Sequence, residues 1–392
     1  MPFLLPRSPE DRGPGAFVLA FGSLSMLELL ATLGGKLSNP ESPTERIGVF
    51  DMLPGSASSV AGLAGIHKFA TLLTPVRTDG SGIDDFTEKI TERVEISNFS
   101  VSGYGLAAED HEGLVQLMLD AFRTKRLRKL HLLRPKDNEL RGDQVVARGS
   151  ADVVAFPYHD AYCLALTTYV PDASEFRYRG VGKPAPHSDI SLSPRLASTL
   201  VNLSGVERGQ TLLDPFCGSG TILAEGLQKG TDCVGIDSSR RLVDEARLNL
   251  RWASRTAHGG HFRLETGDAR ALGELMGGRT VDGVATEPIL LPRLKSRLSL
   301  DVAKEMIDQA GDVYAEALAS LSEVVRPGGR IVVVVPVLET TEGNQIYVGL
   351  DGRPLGLSLF QPGQMRFQYP IRLSFESTRW IKRAVYVFEV RP

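Results

Sequence analysis

The sequence predicts an α/β protein in two parts, a mixed α/β front half and a back half built on a doubly wound parallel sheet. Two observations carry this. From Ser193 onward, short apolar strands alternate with amphipathic helices, the grammar of successive βαβ units. A glycine-rich string, Asp214-Pro215-Phe216-Cys217-Gly218-Ser219-Gly220-Thr221, sits at one strand-to-helix junction, where such sheets bind their ligands. The 392 residues exceed one ordinary domain, and 42% hydrophobic with 23% charged side chains excludes a disordered chain.

In chain order, Phe17 to Phe21 reads as a short strand, a Gly-Ser break follows, and an amphipathic helix runs from Met26 until Gly34 and Gly35 stop it. The apolar stretch Ala16 to Leu33 is interrupted by Gly22, Ser23, Ser25 and Glu28 and lacks a basic leader, so neither a signal peptide nor a membrane span is expected. Apolar Ile66 to Leu73, alternating Val94 to Val101, helical Gly113 to Phe122, and strand-like Gln144 to Phe156 and Ala161 to Val170 follow. These divide into two small units, a ferredoxin-like-type α/β unit over 1–60 and a second over 61–170. The Gly and Pro clusters of 171–192 read as a linker. The back domain, 193–392, opens with a helix from Pro194 to Leu203, a strand from Thr211 to Leu213, the glycine loop, a helix from Thr221 to Lys229 and a strand from Cys233 to Ile236. A third α/β step passes through Arg247 and Leu264. Strands Val281 to Thr286 and Ile331 to Val335 come next, and the last strands are expected to form a C-terminal antiparallel hairpin.

The 44 Lys plus Arg against 47 Asp plus Glu give a formal charge of -3, which excludes a uniformly basic surface. Any polyanion must be held locally, and Ala121 to Arg141 offers a site: eight basic residues (Arg123, Lys125, Arg126, Arg128, Lys129, Arg134, Lys136, Arg141) against Asp137 and Glu139, a local +6. Cys163, Cys217 and Cys233 form no Cys-x-x-Cys, so a zinc site and a disulfide framework are not expected, and a reducing, cytoplasmic setting is. His67, His131, His159 and His187 lack metal-ligand spacing, and no metal is expected.

The glycines Gly218 and Gly220 let the backbone approach a ligand beside the exposed N–H groups of a helix start. An acid, Asp214, opens the loop, and the next strand ends in Asp237, placed to accept from both hydroxyls of a ribose. A further strand ends in Asp268-Ala269, whose carboxylate can accept from an adenine amino group. Gly-x-Gly-x-x-Gly is absent, which disfavours nicotinamide binding. Asp214 to Thr221 resembles the first motif of S-adenosylmethionine-dependent methyltransferases that modify exocyclic amino groups of nucleic acid. The resemblance implies that Asp214, Phe216, Gly218, Gly220, Asp237, Asp268 and Ala269 bind that cofactor. It also places the connector residues His187, Ser188 and Pro194 against its methionine end.

An exocyclic amine has its lone pair delocalised into the ring, so acceptors for its hydrogens help it attack. In the family this role falls to Asp or Asn followed by Pro-Pro and an aromatic. Here the corresponding strand runs into Thr286-Glu287-Pro288-Ile289-Leu290: Glu287 and Pro288 are the catalytic candidates, but the second Pro and the aromatic are replaced. Phe216 is the candidate for base stacking, while Arg293 and Lys295 are the nearest cations for a purely ion-paired Glu287.

Ser191 to Ala197 with Val201-Asn202-Leu203, Leu63 to Ala70, Phe99 to Tyr104 and Arg379 to Phe388 are similar to segments of archaeal THUMP-domain tRNA guanine-N2 methyltransferases. That resemblance implies a THUMP-like RNA-binding 61–170, a Rossmann-like methyltransferase domain over 193–392, tRNA as substrate and, for some members, a small activating subunit. Two alternatives stay open: a DNA amino methyltransferase, and a non-catalytic tRNA-binding protein with a degenerate acceptor motif.

Overall fold

In a computed structural model of the chain, the described residues are 14–53, 56–77, 79–93, 97–125, 130–134, 137–185, 192–288, 291–292, 294–363, 365–373 and 380–391. They form two compact units: one lies within residues 14–174 apart from Leu27–Thr32, and the other takes Leu27–Thr32 with the chain from Glu175 onward.

The first unit contains β1 (Pro14–Leu19), most of α1 (Ser23–Leu33), β2 (Leu37–Thr44), β3 (Ile47–Met52), β4 (Ile66–Arg77), α2 (Ile83–Arg93), β5 (Asn98–Gly103), α3 (Ala108–Thr124), β6 (His131–Leu132), α4 (Gly142–Arg148), β7 (Ser150–Tyr158) and β8 (Ala161–Tyr169). Its eight strands share one sheet in the order β2-β3-β1-β4-β8-β7-β5-β6, so strands from both sides of position 60 hydrogen-bond together. The helices α2 and α3 bury Phe86, Ile90, Leu114, Met118 and Phe122 against β5 and β7. Gln144 to Phe156, expected as one strand, is a helix followed by a strand. The Gln144 side chain accepts from the Arg141 N–H at the helix start, and Gly149 ends the helix in the left-handed region at φ 55°.

The apolar strands of this unit also carry a buried polar network. Lys68 and Asp152, both fully buried, pair at 2.8 Å, while Ser100, Ser102 and Thr167 donate to the same carboxylate at 2.7–2.8 Å. A buried pair is tolerated when its remaining hydrogen-bonding capacity is met in this way.

The second unit contains α5 (Ala173–Val181), which occupies part of the expected linker, then α6 (Pro194–Leu203), β9 (Thr211–Asp214), α7 (Thr221–Lys229), β10 (Asp232–Asp237), α8 (Arg240–Ala253), β11 (Phe262–Thr266), α9 (Leu272–Met276) and β12 (Val281–Thr286). The long helix α10 (Leu300–Val324) and β13 (Val325–Glu339), β14 (Gln345–Tyr347), β15 (Leu357–Leu359), β16 (Ile371–Arg372) and β17 (Ile381–Val390) complete it. Ser193 caps α6 by accepting from the Leu196 N–H, with Pro194 at the first turn. The main sheet runs β11-β10-β9-β12-β13-β17-β15. The first five strands are parallel, and β17 lies antiparallel to β13 over nine residue pairs. The run Ile331 to Val335 is buried throughout, as befits a strand flanked on both sides. Strand order reverses between β9 and β12, which opens a crevice at their carboxyl ends.

Candidate active site

β9 delivers Asp214 to the crevice with 1% exposure. Its carboxylate accepts from the Phe216 N–H at 3.2 Å and the Thr286 hydroxyl at 2.7 Å. Burial pushes this carboxyl up to about 7, and the charges of Asp237 and Glu287 push the same way against those two hydrogen bonds. Beyond it, Gly218 has φ 50°, and an added Cβ there would point into open space, so the loop leaves its backbone bare at this point. Gly220 has φ 84° and packs on α8, where an added Cβ would meet the Ala246 Cβ at 3.3 Å.

Three strand ends are stitched together here. Asp237 accepts from the N–H groups of Gly218 and Ser239, each at 2.9 Å. The Cys217 N–H donates to the Ile236 carbonyl at 2.9 Å, and the Gly267 N–H donates to the Asp237 carbonyl at 3.1 Å. Cys217 is buried, and desolvation, with the charges of Asp214 and Asp237, raises its thiol far above the ordinary value, so it is no nucleophile. Asp268 caps the turn after β11 by accepting from the Arg270 N–H. The Arg270 guanidinium brackets its carboxylate, with the shortest contact at 2.6 Å, and holds its pKa below the usual range. Any ligand group accepted by that carboxylate has to share it with Arg270. Ala269 beside it is 3% exposed.

On the acceptor side, Thr286 ends β12 and ties it to Asp214, so the glycine loop and the Glu287-Pro288 motif share one hydrogen bond. Glu287 pairs with Arg383 of β17. The buried Tyr314 hydroxyl of α10 reaches the carbonyls of Pro288 at 2.8 Å and Val334 at 3.1 Å. Burial, with the Glu287 charge, keeps that phenol protonated. Ile289, Leu290, Arg293, His187 and Ser188 lie outside the described residues.

Sequence reasoning did not find Lys183, Asn249, Thr286, Tyr314 or Arg383. Lys183, 9% exposed and with its pKa lowered by burial, donates to the Thr221 hydroxyl at 3.0 Å. Asn249 clasps Ala185 through both its backbone groups and also donates to the Ser219 carbonyl at 2.9 Å. The segment after α5 is thereby docked on the glycine loop. Thr286 was detectable from its place before Glu287; the others stand too far away in sequence to carry a signal.

The +6 segment changes character in three dimensions. Arg123 pairs with Asp120, Lys125 with Glu88, Arg134 with both oxygens of Glu112, and Arg141 with Asp143. Acids on α2, α3 and the start of α4 offset every described cation there. Arg126, Arg128, Lys129 and Lys136 lie outside the described residues.

Residues 177–343 match the family model UPF0020, described as RMKL-like, methyltransferase domain. A probable tRNA (guanine(10)-N2)-dimethyltransferase of Methanothermococcus thermolithotrophicus is 34% identical over 120 residues, 30% of this chain and 72% of that protein. The chain belongs to this family. The tRNA (guanine(10)-N2)-dimethyltransferase of Methanothermobacter thermautotrophicus is 36% identical over 146 residues, and the match spans only 39% of that relative's length. Its counterpart in Pyrococcus abyssi is 29% identical over 162 residues, 44% of that protein. The fold as a whole resembles the crystal structure of TrmN from Thermus thermophilus, with a TM-score of 0.54 and 16% identity over 96% of this chain and 99% of that one. Among the described residues no helix is long and apolar enough to cross a membrane, and no cluster of His, Cys, Asp and Glu is suited to a metal ion.

Proposed function

We propose that the chain is an S-adenosylmethionine-dependent methyltransferase that acts on the exocyclic N2 of a guanine in tRNA. The observation that carries this is the hydrogen bond from Thr286 to Asp214. It sets the glycine loop and the Glu287-Pro288 motif side by side at the switch point of one sheet. Family membership supports the substrate class.

The residues present fit the cofactor: Gly218 offers open space beside bare backbone, and the carboxylates of Asp237 and Asp268 stand at successive strand ends. Asp214, Phe216, Gly218 and Gly220 cradle it in this reading, Asp237 takes its ribose, and Asp268 with Ala269 its adenine. When bound it supplies a methyl group on a sulfonium. Glu287 accepts a hydrogen bond from the guanine N2, which frees the nitrogen lone pair for attack, and takes the proton released as the N–C bond forms. Tyr314 holds the Pro288 carbonyl, the second acceptor, in place. The front unit, THUMP-like over 61–170, holds the RNA, and a small activating subunit is a candidate partner.

Incubation of the purified chain with tritiated S-adenosylmethionine and either tRNA or duplex DNA at matched salt, followed by nucleoside analysis, tests the reading. Methylated guanosine from tRNA is expected. Label in DNA alone, or in neither, removes it. Glu287→Ala is expected to bind the cofactor normally and lose methyl transfer roughly 100-fold or more; wild-type turnover in that variant would show the acceptor site to be elsewhere.

A further inference from the structure

We infer that Arg383 is a positioning residue for methyl transfer, which holds the Glu287 carboxylate ionised and aimed; this rests on the acceptor role proposed for Glu287. The Arg383 Nε donates to Glu287 Oε1, and the two side chains are only 15% and 12% exposed. Arg383 reaches this place from β17, where it stands opposite Pro336 of β13, and it lies 96 residues from its partner in sequence.

A carboxylate that has lost most of its water drifts toward the protonated form, and a protonated Glu287 could not take a proton from N2. A guanidinium stays charged across the whole working range, so it opposes this drift at every pH of interest. Geometry adds a second effect. Glu287 is one methylene longer than the Asp or Asn usual at this position, and the extra torsion gives its carboxylate more places to point. The planar guanidinium fixes the far end of the side chain, while Tyr314 fixes the following residue at the backbone. A carboxylate offers about four lone-pair sites, so pairing with a guanidinium is compatible with a further acceptor role.

The test compares wild type, Arg383→Gln and Arg383→Lys for cofactor affinity by calorimetry, and for kcat and KM with tRNA across pH. Arg383→Gln is expected to keep cofactor affinity and the KM for tRNA but lose kcat roughly 100-fold, because the far end of the Glu287 side chain is then no longer held. Arg383→Lys is expected to recover part of the rate, since it restores the charge but not the planar fork. An unchanged kcat with Arg383→Gln, a loss carried by KM alone, or no recovery with Lys, would overturn the inference. Should Arg383→Gln not fold, the same change is made in a Glu287→Gln background, where no lone charge is left behind. There it should cost nothing further, and any additional loss of rate would show that Arg383 acts apart from Glu287. A wild-type chain that binds S-adenosylmethionine yet labels no tRNA would sink the acceptor reading and this inference with it.

Discussion

The glycine loop and the acceptor motif end neighbouring strands, β9 and β12, yet they are held in different ways. The loop is held by chain from the end of α5 to α8: Asp214 takes the N–H of Phe216, Asp237 takes the N–H groups of Gly218 and Ser239, and Lys183 and Asn249 reach Thr221 and Ser219. The acceptor motif depends on remote chain. Tyr314 is 26 residues from Pro288, and Arg383 is 96 from Glu287. In the proposed site the cofactor half is therefore assembled from the chain between α5 and α8, whereas the acceptor half exists only once α10 and β17 have docked. Thr286 is the joint between them.

Breaking the loop side should have the largest effect. Asp237→Ala removes the acceptor of two backbone N–H groups together with the proposed ribose ligand, and hydrogen bonds to a charged group contribute about 1.5–3 kcal/mol each. Cofactor binding should disappear from the calorimetric range, and unchanged affinity would remove the ribose assignment.

Next comes the shared residue, Asp214. Its folded pKa, about 7, stands above the unfolded value of 3.8. The contribution of this carboxyl to stability is therefore full below pH ~4 and is lost as pH rises through about 7, a change on the order of 4 kcal/mol. Thermal unfolding of the cofactor-free protein between pH 4 and 8 should show wild type losing stability toward the alkaline end relative to Asp214→Asn, which cannot ionise. Parallel curves for the two would mean that the carboxyl is not held neutral.

The smallest effect is expected on the acceptor side. Tyr314→Phe deletes one buried hydroxyl and leaves two carbonyls to lose its bonds, at a cost of about 1–2 kcal/mol in stability. It should lower kcat about tenfold without altering cofactor affinity. A variant that instead loses cofactor binding would show that the two halves of the site are coupled more tightly than through Thr286 alone.

Much of the second unit was legible in the chain. The helices Pro194–Leu203 and Thr221–Lys229 have the expected bounds, because Ser193 with Pro194 and Gly220 with Gly230 mark their ends chemically. The front unit was less so. Gln144 to Phe156 looked like one strand because its valines and alanines suit either structure, and the capping interaction at Arg141 with the left-handed Gly149 decided for a helix first. Lys68 and Asp152 stand 84 residues apart on β4 and β7, and only sheet pairing brings them together inside the core.

What the sequence by itself determined is the composition of the glycine loop, since its proposed function rests on backbone that Gly218 leaves bare and on carboxylates at strand ends. It also determined the parallel sheet, through apolar runs at βαβ spacing. Tertiary structure alone decided that the described cations of 121–141, Arg123, Lys125, Arg134 and Arg141, meet acids from three helices, because charge counted along the chain says nothing of what packs beside it. It likewise decided that Glu287 meets Arg383, for that contact needs β17 to lie antiparallel to β13, a pairing that no local pattern in either strand specifies.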